Sequence, residues 1–130
     1  MHMNDYMHIH EGLSKNQLHK SLPLSNYSLG MGAMGLPGDL SSASRFVRAA
    51  FTKWNSLGGE TEEENVSQFF HILNSVAMQR GCVLLENGLY EITIYSSCCN
   101  TDRGIYYYTT YDNSQIHVVD MHRENLDSSE

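Results

Sequence analysis

Basic residues are scarce: eight Lys and Arg stand against fifteen Asp and Glu, for a formal charge of −7. Such a chain repels phosphate backbones and anionic lipid surfaces, which argues against nucleic-acid and membrane-surface binding. Also missing is any apolar run near the roughly 20 residues that a membrane span needs. The opening stretch, MHMNDYMHIH, has neither the apolar core nor the small-residue cleavage site of a signal peptide. The chain therefore reads as soluble and cytoplasmic, with no nucleic acid and no membrane among its partners. Cysteine is limited to Cys82, Cys98 and Cys99, an odd number with two adjacent, which is not the framework of a secreted disulfide scaffold. No CxxC or similar pairing offers zinc a site, and His8 and His10 read as incidental histidines in a polar end. Neither a metal nor a cofactor is expected.

What is present suffices for one domain over residues 1–130, with 41% hydrophobic residues to build a core. Residues 1–36 show no sustained period and read as an irregular connector. Within it LGMGAMGL (Leu29 to Leu36) is apolar between its glycines, which points to backbone passing close to backbone. Gly30, Gly32 and Gly35 match the bare GxGxxG spacing, but the acidic residue that a dinucleotide site needs about 20 positions on is missing.

Residues 37–81 read as a helical pair. Pro37 and Gly38 turn the chain, and Asp39, Ser41 or Ser42 can cap a helix from about Ser41 to Ser56, with a stripe of Ala43, Val47, Ala50, Phe51 and Trp54. Thr61 and Glu64 form a TxxE capping box for a second helix. Its stripe of Val66, Phe69, Phe70, Leu73, Val76 and Ala77 predicts helix as far as Arg80, with Gly81 as the stop. Residues 89–121 read as a β-meander of Leu89–Ser97, Ile105–Tyr111 and Ile116–Met121, all rich in β-branched and aromatic residues. Tyr106, Tyr107 and Tyr108 must alternate across the sheet, so both faces expect cover, and this chain supplies helices for one.

The residues alone make no complete catalytic constellation. His71 lies off the apolar stripe without a nucleophile partner, and of Cys98 and Cys99 one should point inward as a small core residue. Arg45 and Arg48 fall away from the stripe of the first helix, the ordinary mark of a solvated face. Yet Arg45 occupies the first turn, where the helix dipole disfavours a cation by about 0.3–1 kcal/mol.

Four segments resemble consecutive blocks of the choloylglycine hydrolase family, which holds the conjugated bile acid hydrolases and penicillin V acylases. They are GLPGDLSSASRFVRAAFTKWNS (Gly35 to Ser56), VSQFFHIL (Val66 to Leu73), YEITIYSSCCN (Tyr90 to Asn100) and GIYYYTTYDNSQI (Gly104 to Ile116), with the likeness running from about Asn26 onward. The resemblance implies an α+β fold that is part of an N-terminal nucleophile hydrolase αββα sandwich, two helices followed by a three-stranded antiparallel meander. It implies an amidase whose N-terminal cysteine attacks the amide joining a bile acid to glycine or taurine, the chain's own α-amino group accepting the proton. Of the catalytic set it places one residue here, the arginine of the SRF motif, at Arg45, to stabilise the thiolate. Removal of Met1 would expose His2, not a nucleophile, so the chain is expected to be a C-terminal piece, an internal fragment or a truncated product. The partners so implied are a conjugated bile acid in the complete enzyme, and the N-terminal half of the hydrolase or a second copy of this chain. Two other readings stand beside it: a non-catalytic α+β remnant that binds a partner chain or apolar ligand through the open sheet face, and a thiol enzyme using Cys98 or Cys99.

Overall fold

The structure, a computed structural model, describes residues 2–125 and 127–128; Met1 and Glu130 lie outside them. The chain forms two compact units, Met1–Asn55 and Ser56–Glu130.

In the first unit, 3-10 turns at Met3–Tyr6 and Met31–Ala33 precede helix α1, Ser42–Asn55. The connector is tied to itself: the His10 N–H donates to the Gly32 carbonyl at 3.0 Å and the Gly32 N–H to the Gly12 carbonyl at 3.1 Å. The expected close approach of backbones is therefore present. A Cβ on the buried Gly32 would lie 2.4 Å from the Gly12 oxygen and 2.6 Å from that of His10, too near for any side chain. Helix α1 buries Ser44, Val47 and Ala50. The expected stripe is thus rotated: Ala43 is exposed, Trp54 is 70% exposed, and Ser44 takes the inner position.

The second unit holds helix α2, Glu62–Asn74, and strands β1 (Tyr95–Asn100), β2 (Ile105–Thr110) and β3 (Asn113–Asp120), closed by a 3-10 turn at Met121–Arg123. The sheet order is β1-β2-β3 with both pairings antiparallel, the meander that the sequence predicts. The capping box of α2 is complete: the Glu64 N–H donates to Thr61 Oγ1 at 3.2 Å, and Glu64 Oε2 accepts from the N–H groups of Glu60 and Thr61.

Two boundaries differ from expectation. Helix α2 ends at Asn74, not Arg80, because Ser75 donates its hydroxyl to the Ile72 carbonyl at 2.7 Å and the chain then turns to pair with Thr93. The buried Met78 donates its N–H to Thr93 Oγ1 and accepts from the Thr93 N–H. The same exchange delays β1, which starts at Tyr95 rather than Leu89. Residues 89–93 bond back to Met78, Val83 and Leu85 instead of entering the sheet. Strand β3 starts earlier than expected, at Asn113, behind the two-residue turn Tyr111–Asp112. Among the described residues no helix is long and apolar enough to cross a membrane.

Candidate functional site

Arg45 sits in the first turn of α1 and is half-buried, as is Arg48 one turn on. Neither belongs to a solvated face, which corrects the ordinary reading of this pair. Arg48 Nη1 donates to the carbonyl oxygens of Pro37 at 2.8 Å and Asp39 at 2.6 Å, clamping the loop that leads into the helix. The start of α1 is built from side chains. Ser41 Oγ accepts from the Ser44 N–H at 3.4 Å, Asp39 Oδ1 accepts from the Ser41 N–H at 3.0 Å, and Asp39 Oδ2 accepts from the Ser44 hydroxyl at 2.5 Å. Hydrogen bonds from Ser41 and Ser44 hold the Asp39 carboxyl down at about 2, so it is ionised throughout the ordinary pH range. The Arg45 N–H, in turn, donates to the Ser41 carbonyl at 2.9 Å.

A second polar centre in the other unit escaped the sequence reading. Glu62, in the first turn of α2, joins that helix to the sheet. Its Oε1 accepts from Tyr107 Oη at 2.7 Å and Asn100 Nδ2 at 2.8 Å, and its Oε2 binds the Arg103 guanidinium. The Tyr107 hydroxyl, then Asn100 and Arg103, hold the Glu62 carboxyl below its usual range, and the same bond raises Tyr107. The signal that could have found it is the alternation of Tyr106, Tyr107 and Tyr108, which commits one phenol to the helix side.

Cys98 and Cys99 lie within β1, and Cys82 is exposed in the segment between α2 and that strand. Cys98 shares the α2 side with Tyr107, its register partner, and burial raises its thiol, the opposite of what a nucleophile needs. Cys99, paired with Tyr106, is exposed on the other face. His71 is exposed on α2. Among the described residues no group of three or more His, Cys, Asp or Glu is placed to hold a metal ion.

Comparison with known proteins gives these features a setting. A bile salt hydrolase/transferase of Lactiplantibacillus plantarum is 56% identical over 128 residues, which is 98% of this chain and 40% of that protein. One from Clostridium perfringens is 41% identical over 133 residues, covering 98% of this chain and 39% of that protein. The crystal structure of a mutant conjugated bile acid hydrolase from Clostridium perfringens matches at TM-score 0.82 and 38% identity, over 98% of this chain and 39% of that one. A penicillin V acylase from Agrobacterium tumefaciens, at 20% identity and TM-score 0.56 over 68% of this chain and 28% of that one, is a likeness of fold alone. The chain thus spans about 40% of the length of the curated relatives it matches. The likeness that the sequence blocks carry from Asn26 onward extends back through the connector as well. Over residues 1–130 the match is to the linear amide C-N hydrolases, so the chain belongs to the choloylglycine hydrolase family.

Proposed function

We propose that this chain is the C-terminal portion of a bile salt hydrolase-like amidase, which cleaves glycine- or taurine-conjugated bile acids with a cysteine carried outside it. The observation behind this reading is the 56% identity to a bile salt hydrolase/transferase across 98% of the chain. In the proposed reaction a cysteine thiolate attacks the amide carbon, forming a C–S bond as the C–N bond breaks. The α-ammonium of that cysteine gives its proton to the departing glycine or taurine nitrogen. Water then hydrolyses the thioester to the free bile acid and restores the thiol. Passage of the same acyl group to an amine would account for the transferase half of the relatives' name. Arg45 is assigned the stabilisation of the thiolate and of the charge that develops on the way to the intermediate. Its half-buried place on a pinned helix start supports that assignment, since a cation acts more strongly where water is partly excluded.

The test pairs the chain with a separately made N-terminal portion of a bile salt hydrolase and follows glycine release from a glycine-conjugated bile acid. Release by the mixture and not by the chain alone is expected. Release by the chain alone that survives replacement of both Cys98 and Cys99 by alanine would overturn the reading.

The rival reading, a non-catalytic remnant that binds a partner chain or apolar ligand, is favoured by the sheet face opposite α2. There Ile92, Ile94, Tyr95, Tyr106, Tyr108 and Tyr111 line an open groove, with Tyr95 61% exposed. In the family's αββα sandwich a second sheet would cover this face, so the same observation also suits a piece of the larger enzyme.

A further inference from the structure

We propose that Asp39 and Ser44 are positioning residues for Arg45, fixing the first turn of α1 and with it the direction in which the Arg45 side chain leaves the helix. The inference rests on the assignment of Arg45 made above and extends it to two side chains that have no contact with substrate in that mechanism.

Among the described residues Ser44 is the one polar residue that is buried, and it is wholly inaccessible to solvent. Alanine there would favour the helix more and place no hydroxyl in the interior, so helix stability does not call for serine. The hydroxyl has one proton, and it goes to Asp39 Oδ2 at 2.5 Å, a bond strengthened by the ionised acceptor. The other Asp39 oxygen holds the Ser41 N–H at 3.0 Å, and the Ser41 carbonyl receives the Arg45 N–H at 2.9 Å. Arg48 closes the circuit from the far side of Arg45 by gripping the carbonyls of Pro37 and Asp39. The residue before Arg45 and the residue one turn after it are thus both tied to the segment 37–39. Helix ends fray by a residue or two unless held, and a turn that frays or tightens redirects its side chains. A misplacement of about 1 Å can cost on the order of 10²-fold in rate.

The experiment uses the reconstituted hydrolase described above, with assembly measured beside turnover. Ser44→Ala, and separately Asp39→Ala, which removes the same bond from the exposed loop side, should each lower kcat at least about tenfold with KM nearly unchanged. On an Arg45→Ala background Ser44→Ala should cost nothing further, because the group it positions is gone. An unchanged kcat in both single variants, or an equal loss on both backgrounds, overturns the inference. A second readout needs no turnover: the Arg45 Nε–H resonance of the chain by itself should move in Ser44→Ala and Asp39→Ala. If the wild-type mixture is inactive, or Arg45→Ala keeps full turnover, the functional assignment falls. The resonance then decides on positioning alone, a shift upholding it and an unmoved resonance overturning it.

Discussion

Two arginines one helical turn apart on α1 carry different obligations. Arg48 spends its guanidinium on backbone carbonyls, so Arg48→Ala should cost stability, about 1–2 kcal/mol by the loss of charged hydrogen bonds, and little turnover. Arg45→Ala should instead reduce amide hydrolysis of the reconstituted enzyme by on the order of 10²-fold or more. Urea denaturation and steady-state kinetics on the two variants separate these effects, and equal small losses in turnover would deprive Arg45 of its role. Glu62 governs a different property. Its folded carboxyl is held below the ordinary 4.5 by Tyr107, Asn100 and Arg103, and that of Asp39 is lowered from 3.8 to about 2. A depressed folded value means that the unfolded chain binds the proton more readily, so stability from these groups is present above the ordinary carboxyl range and lost as pH falls through the folded values. The urea midpoint should therefore drop as pH falls from about 5 to about 2, and Glu62→Gln should flatten the upper part of that drop. A midpoint independent of pH in the unmodified chain would refute the account.

Among the elements, both helix starts and the end of α1 were legible in the sequence, and the end of α2 was not. Thr61 and Glu64 declare their box by type and spacing, and the structure repeats it bond for bond. Thr61→Ala should accordingly cost about 1 kcal/mol in thermal or urea unfolding. The apolar period through Val76 and Ala77, by contrast, continues past the true end of α2, because Ser75 and Thr93 end the helix through bonds that no local pattern displays. Strand β1 was displaced for the same reason: LYEITI alternates as a strand does, yet β2 is six residues long and offers partners only to Tyr95–Asn100. On α1 the stripe was right at Val47 and Ala50 but one position out at its start, because it weighed hydrophobicity alone. Ser44, a polar residue, holds the innermost place on account of Asp39. The Glu62 centre shows in no local pattern around Glu62, because its partners lie 38 to 45 residues away in the chain.

At the scale of the molecule, the sheet presents aromatic rings on the side that α2 does not cover. Tyr106 and Tyr108 lie 6.0 Å apart between ring centres, and Tyr108 stacks on His117 at 5.0 Å. An exposed apolar face of this kind marks an interface or an aggregation site. The chain by itself should therefore bind an apolar dye or self-associate, and a clean monomer by sedimentation with no dye binding would count against it. The meander order also bears on how the chain comes into being. Each strand pairs only with its neighbour in sequence, across turns of a few residues, so little loop-closure entropy opposes the sheet and its topology belongs to the faster-forming kind. During synthesis β1, β2 and β3 can zip together in the order in which they leave the ribosome.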